Sequence, residues 1–251
     1  MKQIGYELTG PIGSAATLGL VVLQADETLE QDFRQIFPDR DIAIYTSRIP
    51  SGDALNAETI AAMEAELTRG AQLLPRAARF DAVGYGCTSG TTLIGAKAVA
   101  RMLRQGVDTP VVTDPLTAAL AALRALGTRR LGLVTPYIDS IASPVRDAFG
   151  AAGIEVCQTL SFGEEVEARV ARISPQSIIE AARAAAQGAE AVFLSCTNLR
   201  TLGCIAGLEA ELGLPVLSSN QVLAWHMMQT TTITARKNAP GRLFHTKARS
   251  G

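Results

Sequence analysis

Two of the chain's four cysteines stand in matched surroundings. Cys87 lies in Gly84-Tyr85-Gly86-Cys87-Thr88-Ser89-Gly90, and Cys196 lies in Leu194-Ser195-Cys196-Thr197-Asn198. Each closes a short apolar run, and each is followed by threonine and further small polar residues. A thiol where a strand's carboxyl end meets a helix sits beside unpaired backbone N–H groups and the positive end of a dipole. That setting lowers a thiol pKa and cradles a carboxylate or enolate oxygen. Gly86 and Gly90 allow close backbone approach to a ligand. Two such thiols on opposite faces of a small carboxylate can work as base and acid. One removes the proton from the carbon next to the carboxylate, and the other returns a proton on the far side. Alternatively, one thiolate adds to a double bond, the adduct rotates, and elimination gives the other geometric isomer. Neither route needs a metal, flavin or pyridoxal cofactor, and the sequence shows no Walker motif and no clean G-x-G-x-x-G after its first strand.

A buried cysteine is ordinarily a small core hydrophobe. Cys157, inside an expected strand, and Cys204, on an expected helix face, fit that reading. The Thr/Ser-rich context and duplicate placement set Cys87 and Cys196 apart as the catalytic candidates. Thr88, Ser89, Thr197 and Asn198 are the hydroxyl and amide candidates for substrate binding. Tyr137, in Val134-Thr135-Pro136-Tyr137-Ile138-Asp139, follows another apolar run; its hydroxyl either donates to a substrate carboxylate or caps the sheet as a loop aromatic. Asp26 is either a ligand contact or a helix-capping acid, and Glu27 reads as a cap that suits the helix dipole. His226, beside Trp225 and Met227, reads as a packed or surface residue, and His245 falls in the tail. Without a histidine base, the thiols themselves must carry the proton.

The elements that position these residues alternate. Strands are expected at 18–23, 41–45, 81–85 and 110–113, with helices at 28–37, 57–74, after the Gly86–Gly90 segment through Leu103, and 117–126. The same order restarts with strands at 131–134, 154–160, 191–194 and 215–218 and helices at 141–152, 175–186, from about Leu199, and 221–230. Asn56 and Ser174 are expected N-caps. Continuous apolar strands between helices argue for parallel sheets covered on both faces. The first strands, the two cysteines and the Pro110 and Pro215 strands recur in the same order at nearly constant spacing, which indicates duplication. The expected fold is α/β, with two pseudosymmetric Rossmann-like halves, each a four-stranded parallel sheet, and the active site in the cleft between them. The halves are placed at 15–127, carrying Cys87, and 128–230, carrying Cys196. Residues 231–251 are expected to be a loose tail outside the active site.

Composition narrows the functional classes. With 23 basic and 24 acidic residues the formal charge is −1, so there is no global pull toward nucleic acid or an anionic membrane. The mild basic cluster of Arg236, Lys237, Arg242, Lys247 and Arg249 reads as a solvated end. No apolar run approaches the roughly 18 residues of a membrane span, and the start does not read as a secretory signal. Four cysteines without a C-x-x-C pair, and two histidines, suit neither a disulfide scaffold nor a zinc site of usual spacing. A reduced, cytoplasmic protein is expected.

The two cysteine segments, with Thr135-Pro136-Tyr137-Ile138-Asp139, resemble the aspartate/glutamate racemase superfamily. Within it the chain looks like the branch holding maleate cis-trans isomerases, arylmalonate decarboxylases and the ectoine-utilisation protein EutA, over residues 15–230. The resemblance implies a pseudosymmetric pair of α/β domains, cofactor-free catalysis and a homo-oligomer. It implies Cys87 and Cys196 as the catalytic pair, with Thr88, Ser89 and Tyr137 holding a carboxylate. Arylmalonate decarboxylases usually keep only the second cysteine, so Cys87 argues for an isomerase or racemase. Maleate isomerases usually carry an asparagine in a Ser-Asn-Thr-type stretch after the first strand. Here that stretch is Gln24-Ala25-Asp26-Glu27-Thr28. An acid there repels a second carboxylate but suits an amine or amidine. The expected activity is a cofactor-independent racemase or isomerase acting on an amino-acid-like or ectoine-derived carboxylate. A maleate cis-trans isomerase using a covalent cysteine adduct and a small-carboxylate binding protein are the alternatives.

Overall fold

The computed structural model describes all residues except 53, 55, 232 and 247–251. Two four-stranded parallel sheets carry the fold. The first has the order β2-β1-β3-β4, from β1 (Ala16–Leu23), β2 (Ile42–Ile49), β3 (Ala82–Gly86) and β4 (Val112–Thr113). The second has the order β6-β5-β7-β8, from β5 (Arg130–Thr135), β6 (Glu155–Ser161), β7 (Ala191–Leu194) and β8 (Val216–Ser218). The orders are the same once numbering restarts, as the duplication predicts. Central strands β1, β3 and β7 are buried along their whole length, which requires cover on both faces and explains their unbroken apolar sequences.

In each sheet the strand order reverses beside the first strand, between β1 and β3 and between β5 and β7. Ligands of open parallel sheets bind at that reversal, beyond the carboxyl ends of the strands. In the first half those ends lead to Asp26 and Cys87. In the second they lead to Tyr137 and Cys196.

Helices α1 (Leu29–Ile36) and α2 (Ala57–Gln72) flank the first sheet. Asn56 opens α2 in a capping box with Thr59, as its side chain predicts. The single helix expected after Cys87 is two, α3 (Thr88–Ile94) and α4 (Ala96–Gly106), broken at Gly95 with φ +93°. Helix α5 (Pro115–Leu126) is capped by Asp114. The second half adds α6 (Asp139–Ala151), a short α7 (Glu167–Val170), α8 (Pro175–Ala185) capped by Ser174, α9 (Leu202–Leu212) and α10 (Ser219–Gln229). Although α10 follows the second sheet in sequence, it packs against α5, α1 and β3 of the first, locking the halves together.

The segment after α10 departs from the expected loose tail. Leu243 is fully buried, the Trp225 indole N–H donates to the Thr246 carbonyl (2.9 Å), and the Gln221 amide donates to the Pro240 carbonyl (2.9 Å). Arg242 donates its backbone N–H to Glu209 (2.8 Å) and its guanidinium to the Gly213 carbonyl (3.0 Å). These anchors are single residues in irregular chain, so periodicity does not register them. Of the basic cluster, Lys247 and Arg249 lie outside the described residues. Among the described residues no helix is long and apolar enough to cross a membrane.

Candidate active site

Cys87 is the N-cap of α3. Its sulfur accepts the Gly90 backbone N–H (3.2 Å) and lies 3.5 Å from the Ser89 hydroxyl. Gly90 is required here, because a Cβ on it would stand 2.6 Å from the Tyr85 hydroxyl oxygen and 3.0 Å from the Cys87 sulfur. Tyr85, two residues earlier on β3, is fully buried, with its hydroxyl donating to Met63 Sδ (3.9 Å). In the second half Tyr137 lies close enough to both Cys196 and Cys87 to feel their charges. Both thiols and the Tyr137 side chain are buried together, at 3%, 5% and 1% exposure.

Cys196 is held differently from Cys87. The helix expected from about Leu199 begins only at Leu202, so Cys196 occupies a turn rather than a helix N-terminus. Its φ is +127°, and it is the one described residue other than glycine with positive φ. Such a conformation costs on the order of 1–3 kcal/mol in an L-residue and persists only where surroundings enforce it. Here the Ser219 hydroxyl accepts the Cys196 N–H (2.9 Å), and the Thr88 and Ser219 hydroxyls meet at 2.8 Å. The Thr197 hydroxyl reaches across to the Gly86 carbonyl (3.1 Å). The two cysteine loops are thus bonded directly to each other through Thr88, Thr197 and Ser219.

Asn198 joins three segments. Its carbonyl oxygen Oδ1 accepts Glu27 N–H (2.8 Å), its backbone carbonyl accepts the Thr28 hydroxyl (2.9 Å), and its Nδ2 donates to the carbonyls of Ala25 (3.2 Å) and Glu167 (3.3 Å). Its side chain is therefore spent on the protein, and it serves as a staple rather than as the substrate contact proposed for it. Asp26 takes the capping role. Oδ1 caps α1 by accepting Thr28 N–H (2.9 Å) and Leu29 N–H (2.8 Å), while Oδ2 is buried without a hydrogen-bond partner. Glu27 is half-exposed and pairs with Arg172 at 2.9 Å. Ser89 faces the Cys87 sulfur, while Thr88 and Thr197 bridge the loops. His226 lies away from the thiols, where its Nδ1 meets the Thr113 hydroxyl at 2.6 Å. Cys157 is half-exposed at the edge strand, unlike the buried Cys204.

The electrostatics reverse one expectation. Burial pushes the Cys87 thiol up to about 11; the bonds from Ser89 and Gly90 oppose this, and the Glu167 charge adds to it. Burial and then Glu167 push Cys196 well above its ordinary value, against bonds from Tyr137 and the Asn198 N–H. Desolvation outweighs the N–H donors that were expected to lower the thiol pKa values. Glu167 itself is 3% exposed and raised by burial to about 7, as is Asp32 on α1, whose Oδ2 accepts the Asn220 amide (2.8 Å). Sequence reasoning singled out neither acid. Asp32 is visible as an acid on the apolar face of α1, in step with Leu29, Phe33 and Ile36, but nothing local distinguishes Glu167 within Gly163-Glu164-Glu165-Val166-Glu167.

Residues 18–244 match the family model described as arylmalonate decarboxylase. The arylmalonate decarboxylase of Bordetella bronchiseptica is 31% identical over 244 residues, covering 92% of this chain and 97% of that protein. A maleate isomerase of Geobacillus stearothermophilus is 25% identical over 247 residues, covering 92% and 97%. Among solved structures, a Cys→Ser variant of the Nocardia farcinica maleate cis-trans isomerase with a covalently bound succinylcysteine intermediate superposes with a TM-score of 0.83. It is 24% identical and covers 91% of this chain and 98% of that one. The chain is an enzyme that belongs to the arylmalonate decarboxylase family.

Proposed function

We propose that this enzyme is a racemase or isomerase of a small carboxylate, working without a cofactor through Cys87 and Cys196 as an acid/base pair. The observation that carries the reading is that two buried thiols stand on loops bonded to each other, Thr197 to the Gly86 carbonyl and Thr88 through Ser219 to the Cys196 N–H, with Tyr137 buried beside them. With both thiols neutral at rest, one must lose its proton before it can act. The Gly90 N–H and Ser89 hydroxyl would stabilise a thiolate on Cys87, and the Tyr137 hydroxyl would do so for Cys196. The thiolate takes the proton from the carbon beside the carboxylate, the electron pair moves into the carboxyl group as an enediolate, and the opposite thiol delivers its own proton to the other face. Charge and protons balance, and the two sulfurs exchange protonation states once per inversion. Thr88 and Ser89, with the Tyr137 hydroxyl, are the carboxylate donors in this reading. The substrate class we favour is amino-acid-like or ectoine-derived, because an acid at Asp26 would repel a second carboxylate and suits an amine or amidine. Free thiols of this kind suit a reducing, cytoplasmic setting.

A second reading has its own support. The relatives include maleate isomerases, and one carries a succinylcysteine. A cis-trans isomerisation of maleate through a covalent adduct on one cysteine would use the same two thiols. A panel of ectoine, its ring-opened products, aspartate, glutamate and maleate, followed by NMR in deuterium oxide, separates the two. Deuterium entering beside the carboxylate of a saturated substrate supports the acid/base reading. Conversion of maleate to fumarate as the sole reaction replaces it with the second.

A further inference from the structure

We infer that Asp26 and Glu167 form the receptor for a cationic nitrogen, a protonated amine or an amidinium, carried by the carboxylate substrate of the two-thiol site. This rests on the proposed site and deepens it by naming the charge its substrate must bear. Asp26 is 5% exposed and clamped by two backbone N–H groups on Oδ1, which leaves Oδ2 with no donor. The Thr197 hydroxyl beside it is committed to the Gly86 carbonyl. Glu167 is equally buried, and Asn198, two residues after Cys196, ties the two acids' segments together by bonding Glu27 N–H and the carbonyls of Ala25 and Glu167; the charges of both acids bear on Cys196. The two acids also act on each other. Asn220, fully buried, gives its amide N–H groups to Asp32 and to the Thr197 carbonyl, and its Oδ1 has no partner. Asp26 Oδ2 and Asn220 Oδ1 are thus two buried acceptors without a donor.

No basic side chain answers them. Among the described residues, no ion pair involves Asp26, Asp32 or Glu167. Arg48, whose charge reaches Asp26, spends its guanidinium on the carbonyls of Leu23, Gln24 and Asp26 and on Glu30. Among the described residues these acids do not form a group that could hold a metal ion. An unpaired buried carboxylate is costly, and a second substrate carboxylate placed beside it would be repelled. A nitrogen cation with several N–H donors satisfies both acids and offsets the charge of a thiolate at the same moment.

The test is binding to the full chain carrying Cys87→Ala and Cys196→Ala, so that the result does not depend on whether the thiols do chemistry. Titration calorimetry compares matched probes: aspartate with succinate, glutamate with glutarate, and acetamidinium with acetamide. At least one cation-bearing probe should bind about tenfold or more tightly than its counterpart lacking the cationic nitrogen. Adding Glu167→Gln or Asp26→Asn should reduce that advantage to within about twofold, while circular dichroism shows the fold retained. Equal binding within every pair, no binding by any cation-bearing probe, or an advantage that survives both acid substitutions would overturn the inference. Failure of deuterium exchange in the cysteine-intact enzyme would instead count against the acid/base reaction and leave this readout unchanged.

Discussion

Gly90→Ala tests whether the Cys87 loop is as tightly built as its geometry indicates. The added methyl carbon would lie 2.6 Å from the Tyr85 hydroxyl oxygen and 3.0 Å from the Cys87 sulfur. Tyr85 is fully buried on a central strand, so neither neighbour can move aside without disturbing the core. Overpacking of this kind costs about 1–3 kcal/mol. Against it stands the helix preference for alanine over glycine, worth about 1 kcal/mol. The control is Gly207→Ala in α9, where nothing lies within 4 Å of the added carbon. That change should gain about 0.5–1 kcal/mol. Urea denaturation midpoints at constant m-value should therefore separate the two variants by roughly 0.5–3 kcal/mol. The same methyl pushes the sulfur from its place between Gly90 and Ser89, and a misplacement approaching 1 Å costs about 100-fold in rate. Gly90→Ala should lose at least about tenfold in turnover, and Gly207→Ala should lose none. If Gly90→Ala were as stable as Gly207→Ala and fully active, the packing argument for the Cys87 loop would be wrong.

Asn198→Ala removes the staple between residues 25–28, Glu167 and the Cys196 loop. It leaves the Glu27 N–H and two carbonyls without their partner, so a loss of about 2–4 kcal/mol is expected by chemical denaturation. Asp32 and Glu167 are each raised to about 7 from 3.8 and 4.5. A raised carboxyl binds its proton more tightly in the folded state, so its stabilisation is complete below the unfolded value and is lost as pH rises through the folded one. Stability should thus fall between about pH 4 and pH 7, and Glu167→Gln should flatten that slope in denaturant melts at several pH values. A wild-type slope of the opposite sign would contradict the burial of these acids. Iodoacetamide should label half-exposed Cys157 well before Cys87 or Cys196, as read by peptide mass spectrometry; faster labelling of either buried cysteine would contradict the closed site.

The duplicated architecture was legible because its signal is repeated and local. Buried parallel strands read as LGLVVL or AVFL, and a helix start reads as Asn56 or Ser174. The pairing of Cys87 with Cys196 was legible as a matched position in two copies. What stayed hidden depends on long-range placement. Glu167 sits on a one-turn helix in an irregular segment and gains its meaning only from residues at 26, 87 and 196. The positive φ of Cys196 accompanies the loop-to-loop bonds through Ser219 and Thr197. Sequence placed the thiols beside helix N-termini and so expected easy ionisation. Depth of burial decided otherwise, and depth is a property of the assembled halves. The anchoring of Leu243 and Thr246 onto α10 is invisible for the same reason, since each is a single contact outside any periodic pattern.

The central claim is that the two thiols serve opposite faces of one carbon. The most direct measurement is deuterium incorporation from solvent by each single variant, Cys87→Ala and Cys196→Ala, starting separately from each enantiomer of the responsive substrate. Both variants should lose inversion, and each should still exchange the hydrogen of only one enantiomer, opposite for the two. Exchange of both enantiomers by one variant, or inversion surviving either substitution, would contradict it.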